Sequence, residues 1–210
     1  MLLAESRRNL QLLCNQVEMW AREYDLKINT SKTEYAIFNG TSTTATIRLA
    51  GETITSNPSS TYLGLANKND KYKLHYEKRL SKAKSASFAL SKIFYRLPHL
   101  AVSTHLNIAR ACIKAVFLYG SEIGSLEDTK KTTEQMNILL RRHLRHIMRS
   151  KISTANETLQ LDAGWNRTET EILVKKIRLY AEVNDGDRGT LASEIAKIAR
   201  ERNTPWFTEI

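Results

Sequence analysis

Leu10, Leu13, Val17, Trp20 and Tyr24 recur at steps of three and four, the repeat of one helical face. They predict a helix from about Glu5 to Tyr24, with Ser6 as its N-cap. After Asp25 the period changes. Tyr35, Ile37 and Asn39 alternate with Ala36 and Phe38, the two-residue repeat of a strand. The polar turn Asn29-Thr30-Ser31 joins the two patterns and sets Lys32 at the corner between helix and strand. Gly40 to Thr44 reads as a loop by composition, and Thr46–Ala50 and Glu52–Thr55 flank Gly51 as a small hairpin with Ile47, Leu49 and Ile54 facing inward. Ser56 to Ser60 is a turn around Pro58, and Tyr62–Ala66 is a further short strand in which Gly64 permits a bulge or a close backbone approach.

From Lys71 onward the pattern is helical. Leu80, Ala83, Ser87, Leu90, Phe94 and Leu97 trace one face of a helix closed by Pro98. Val102–Tyr119 is apolar on more than one side through Leu106, Ile108, Cys112, Ile113, Val116 and Phe117, so it belongs at the centre of a bundle, and Gly120 can end it. Glu127 to about Arg149 turns Met136, Leu139, Leu140, Leu144, Ile147 and Met148 inward. Leu159, Leu161 and Trp165 mark a short packed segment ending at Gly164, Thr168–Val183 a fourth helix of this set, and Leu191–Arg202 a last amphipathic one. Asn184 to Gly189 is a turn without the later acids of a calcium loop, and Pro205-Trp206-Phe207 offers aromatics that dock on a neighbour or fold back. The fold class that follows is α+β and mostly helical: a helix with short antiparallel strands, then a helical bundle.

Charge adds direction. Lys and Arg number 32 against 22 Asp and Glu, a net charge of +10 with a pI near 9.6, which favours a polyanion as partner. The cations are not spread evenly. Lys78, Lys82, Lys92 and Arg96 lie away from the apolar face of their helix, and only Glu77 offsets the eight Lys and Arg between Lys71 and Arg96. Arg142, Arg145 and Arg149 share one stripe with Arg141 beside it, and no acid occurs between Asn137 and Lys151. Either group could be a solvated face, yet guanidinium forks match phosphate bidentately, and four on adjacent turns exceed what solubility requires.

Several classes are set aside. An apolar fraction of 41% together with the periodic segments argues against wholesale disorder. Cys14 and Cys112 both fall in helical apolar patterns and read as buried thiols in a reducing intracellular compartment, whether nucleus, cytoplasm or organelle matrix. The five histidines lack partners at zinc-ligand spacing, so no metal and no cofactor is expected. No run of eighteen apolar residues predicts a spanning helix. The N-terminus lacks a secretory leader, although Arg7 and Arg8 on an amphipathic helix leave a transit peptide open. There is no phosphate-cradling Gly-rich loop and no nucleophile arrangement.

Leu26-Lys27-Ile28-Asn29-Thr30-Ser31-Lys32-Thr33 before a short strand, with Tyr62-Leu63-Gly64 about thirty residues later, resembles the end of the palm in reverse transcriptases of non-long-terminal-repeat retrotransposons. Phe117 to Glu122 and Leu139 to Met148 are similar to the thumb and post-thumb segments of the same family. The resemblance runs from Leu2 to about Arg178. It implies a partial palm over residues 1–68, a thumb-like bundle over 69–150 and a C-terminal helical extension over 151–210. It also implies that Tyr62, Leu63 and Gly64 match the primer grip, and that Lys32 would protonate a leaving pyrophosphate if an upstream palm were supplied. In that family a Tyr-x-Asp-Asp hairpin stands just before the segment that Met1-Leu2-Leu3-Ala4-Glu5-Ser6 resembles. No Asp-Asp pair occurs in this sequence, and two-metal nucleotidyl transfer needs clustered carboxylates. The family's later zinc-binding cysteines and histidines are missing as well.

The expectation is a catalytically silent derivative whose basic bundle binds RNA, as a structural component of a ribonucleoprotein such as a ribosome. Lys32, Lys78, Lys82, Lys92, Arg96, Arg141, Arg142, Arg145 and Arg149 would be its nucleic-acid contacts. The edge of the small sheet would be covered by a partner protein. Two alternatives stand beside it: a protein-interaction scaffold without nucleic acid, and one piece of a split active enzyme.

Overall fold

Ser6 Oγ accepts the backbone N–H of Asn9 at 3.2 Å, the N-cap that opens α1, Arg7–Glu23. The computed structural model describes residues 1–37, 46–57, 61–66, 72–126, 129–184 and 191–202. The predicted strand end Phe38–Asn39, the loop at 40–44, the turn at 185–189 and the aromatic tail at 205–207 lie outside these residues. The fold is a mostly helical α+β one. Two compact units, Met1–Asp70 and Lys71–Ile210, divide the chain.

In the first unit α1 lies on a three-stranded mixed sheet of order β1-β3-β2, formed by β1 (Glu34–Tyr35), β2 (Ile47–Leu49) and β3 (Glu52–Ser56). The β2–β3 hairpin forms as the alternation predicts: Ile47 faces Ile54 across it, and both are buried with Leu49 and Cys14. Its two-residue turn, Ala50-Gly51, has φ of 51° and 81°, the double left-handed conformation that keeps a tight hairpin in step with strand twist. The expectation of antiparallel strands throughout fails at β1, which pairs in parallel with β3. A chain that leaves β1 and crosses to β2 before β3 can bring β3 alongside β1 in the same direction.

The seam of α1 also differs from its apolar period. Cys14 and Ala21 are buried, whereas Trp20 is 52% and Tyr24 61% exposed, their rings in tilted contact with centroids 5.2 Å apart. The side facing the sheet is Arg7, Gln11, Cys14, Glu18 and Ala21. Arg7 donates to the Thr46 carbonyl, Gln11 both donates to the Arg48 carbonyl (2.8 Å) and accepts its N–H (2.9 Å), and Glu18 accepts the Ala50 N–H at 3.0 Å. The helix thus closes the outer side of β2 with side-chain amide and carboxylate groups in place of a fourth strand.

Tyr62–Ala66 is not one strand but a second hairpin, β4 (Thr61–Tyr62) with β5 (Leu65–Ala66), turned at Leu63 (φ 47°) and Gly64 (φ 79°). Gly64 serves the turn rather than a bulge, since a two-residue connection leaves both central residues left-handed.

The second unit is a helical bundle. Its core takes Tyr76, Leu80, Ala83, Leu90 and Phe94 from α2 (Lys73–Arg96), with Ala109, Ile113 and Phe117 from the next helical run. Met136, Leu140, Leu144 and Ile147 come from α5 (Lys130–Ile147), and Ala163, Trp165 and Ile172 from beyond it. The inward face of α2 is the predicted one except at Leu97, which caps the helix and is 48% exposed. The run after it is α3 (Val102–Ala109) and α4 (Ala115–Leu118) joined by a π-helical turn, Arg110–Lys114. The wider turn sets two consecutive residues, Ile113 and Lys114, against the core. It leaves Cys112 exposed, contrary to the expected buried thiol. α6 (Asn156–Asp162) buries Leu159 and leaves Leu161 80% exposed. α7 (Thr168–Asn184) and α8 (Leu191–Glu201) complete the unit. Among the described residues no helix is long and apolar enough to cross a membrane.

Candidate nucleic-acid interface

Two stretches of this chain hold no Asp or Glu at all, residues 78–121 and 135–156. The bundle brings the end of α2, the start of α3 and the end of α5 together, and they line a cleft of about 940 Å³. Phe94, Tyr95, Pro98, Leu100, Val102 and His105 come from the first stretch, and Arg145 to Ser150 from the second. Every lining residue is therefore neutral or basic, and in a cleft with apolar walls such charges act at a lower effective dielectric than on open surface.

The four arginines in and just after α5 do not act as one row. Arg141 pairs with Glu134 at 2.8 Å and is largely covered. Arg145 turns inward: its Nη2 donates to the Thr154 carbonyl (3.1 Å) and to Asn156 Oδ1 (2.8 Å), while its buried Nε has no partner among the described residues. Arg142 and Arg149 are exposed. The cause is the chain's path after α5, which folds back over the helix end and offers a carbonyl and an amide oxygen to Arg145.

Arg149 sits at the residue that stops α5. Its φ is 50°, with the Ser150 N–H bonded to the Arg145 carbonyl at 3.0 Å and its own N–H to the His146 carbonyl at 3.4 Å. That pair of bonds is a helix stop in which glycine is the favoured residue. An arginine there gives up roughly 1 kcal/mol of backbone stability. Strained positions of this kind concentrate at functional sites.

On α2, Lys78, Lys82, Lys92 and Arg96 are exposed as the pattern predicts. Among the described residues none of these four, nor Lys84, Arg142 or Arg149, forms an ion pair. Two aromatics stand among them that the sequence reading passed over. Phe88 is 66% and Tyr95 82% exposed, with Lys92 Nζ over the Phe88 ring at 4.5 Å. Their spacing from Lys84 by four and eleven residues, off the Leu80–Phe94 face, is the signal that could have found them.

Beneath the cleft the ring of Phe94 lies 4.3 Å from that of His105 and 5.6 Å from that of His143. Both histidines are buried, and the Nε2 of each lacks a partner among the described residues. Burial, with the nearby His146 and His105 adding to it, pushes the His143 imidazole down to about 4. His143 is therefore neutral at pH 7.

The remaining candidates belong to the first unit. Lys32 closes the 3-10 turn Thr30–Lys32, where Asn29 Oδ1 accepts the Lys32 N–H at 3.2 Å, and it is exposed. Leu63, at the tip of its hairpin, is 72% exposed. Among the described residues no three His, Cys, Asp or Glu converge as a metal site.

No protein-family model matches this chain, nor does any curated protein or solved structure.

Proposed function

We propose that this chain is a catalytically silent, reverse-transcriptase-derived protein that binds RNA through its basic bundle, as a structural part of a ribonucleoprotein. The observation that carries the proposal is the meeting of two acid-free stretches in one cleft, which Arg149 lines at a backbone cost. A surface built only for solubility mixes signs, whereas this one presents a single sign over three helix ends. The silent part of the reading is supported by the lack of an Asp-Asp pair within residues 1–210, since two-metal nucleotidyl transfer needs clustered carboxylates to hold its magnesium ions. A protein that covers the edge of the small sheet is part of the same reading.

Filter retention of labelled RNA tests the reading. The wild-type chain retains RNA with an affinity that falls steeply as salt rises, and Arg142→Glu with Arg149→Glu abolishes retention while leaving the circular-dichroism spectrum unchanged. Equal retention by parent and double variant would sink the proposal.

A further inference from the structure

We propose that α2 and the cleft at its end bind a single strand of polynucleotide, with bases stacked on Tyr95 and Phe88 and phosphates held by the flanking cations. This rests on the RNA-binding reading and narrows it to unpaired nucleic acid. Phosphate contacts alone do not distinguish a duplex from a single strand. Exposed ring faces do, because a base already stacked in a duplex has no face to offer.

Phe88 and Tyr95 lie on one side of α2 with Lys84 and Lys92 in the same stripe, and Lys78, Lys82 and Arg96 along its flank. Seven residues of helix separate the two rings by roughly 10 Å. One strand covers that distance in about three nucleotides at 3.4 Å each, and in fewer when extended. Tyr95 also lines the cleft, so the stripe runs directly into it. There Arg149 is exposed, and His105 is among the residues that line the cleft. A base or phosphate in the cleft meets Arg149 and the apolar side chains of Phe94, Leu100 and Val102 that line it. Charge selects the occupant. With no acid in either lining stretch, a basic or neutral peptide has no counter-charge to find, and a polyanion does.

Fluorescence anisotropy on the full chain, with a labelled twelve-nucleotide oligo(U), the same length of oligo(dT) and a twelve-base-pair RNA duplex, decides it. The single strands bind at least about tenfold tighter than the duplex. Tyr95→Ala and Phe88→Ala each weaken single-strand binding by roughly 5- to 150-fold and leave duplex binding unchanged, while Tyr95→Trp retains it. Comparable binding of oligo(dT) supports the inference, since stacking does not consult the 2′-hydroxyl. If duplex and single strand bind alike and Tyr95→Ala has no effect, the inference fails and RNA binding stands. If no probe binds, both fail together. Both rings are exposed, and matched urea midpoints for variants and parent separate lost binding from lost folding.

Discussion

Arg145 reaches from the end of α5 to Asn156 Oδ1 at 2.8 Å, tying the helix to the first turn of α6. A residue that seems by its period to be one of four equivalent arginines is thus a brace, and its neighbours Arg142 and Arg149 are the exposed cations. Arg145→Ala is expected to lower stability by about 1–3 kcal/mol, through two lost charge-assisted bonds and the oxygens left behind. Arg142→Ala is expected to change stability by no more than about 0.5 kcal/mol and to lower the slope of log K against log salt by about one. Urea denaturation and a salt titration of RNA binding, run on both variants, check the division.

Arg149 holds a left-handed backbone position that glycine fills without strain. Arg149→Gly is expected to raise stability by about 1 kcal/mol and at the same time weaken RNA binding. A gain in the urea midpoint with unchanged RNA affinity would show that the strain has no part in binding.

His143 is buried neutral, its folded pKa near 4 against an ordinary 6.5. The unfolded chain therefore takes up a proton between those values that the folded chain does not. Stability is at its full value above pH 6.5 and falls as pH drops toward 4, by about 3 kcal/mol for this one group. Burial lowers the His75 pKa as well, in the same sense. Thermal melts across pH 4 to 7 read the loss, and His143→Phe is expected to flatten it.

Lys114, 4% exposed, pairs with Glu171 of α7 and lies 4.8 Å from the Trp165 ring centroid. Burial holds its ammonium below the ordinary lysine value, an effect only partly offset by Glu171. Glu171→Ala is expected to cost about 3–5 kcal/mol because it strands the buried cation, whereas Lys114→Met combined with Glu171→Leu recovers most of that loss. Denaturant midpoints of the single and double variants test the pair.

Periodicity alone places α1, α2, α5, α7 and the β2–β3 hairpin, because each depends on contacts between residues near in the chain: Ser6 with Asn9, Ile47 with Ile54, Leu80 with Ala83 and Ser87. What faces what across those elements is another matter. Gln11 against Arg48, Lys114 against Glu171 and Arg145 against Asn156 join polar residues that are 37, 57 and 11 positions apart, and hydrophobic spacing carries no record of them. The sequence determined most of the helices, the apolar faces of α2 and α5 and the concentration of positive charge. Only the tertiary structure decided that α1 presents a polar seam to β2, that a π turn exposes Cys112, and that Arg142 and Arg149 remain outside while Arg145 folds in. The physical reason is that burial of apolar surface follows a local repeat, whereas a polar group is satisfied by whichever donor or acceptor the folded chain brings within about 3 Å.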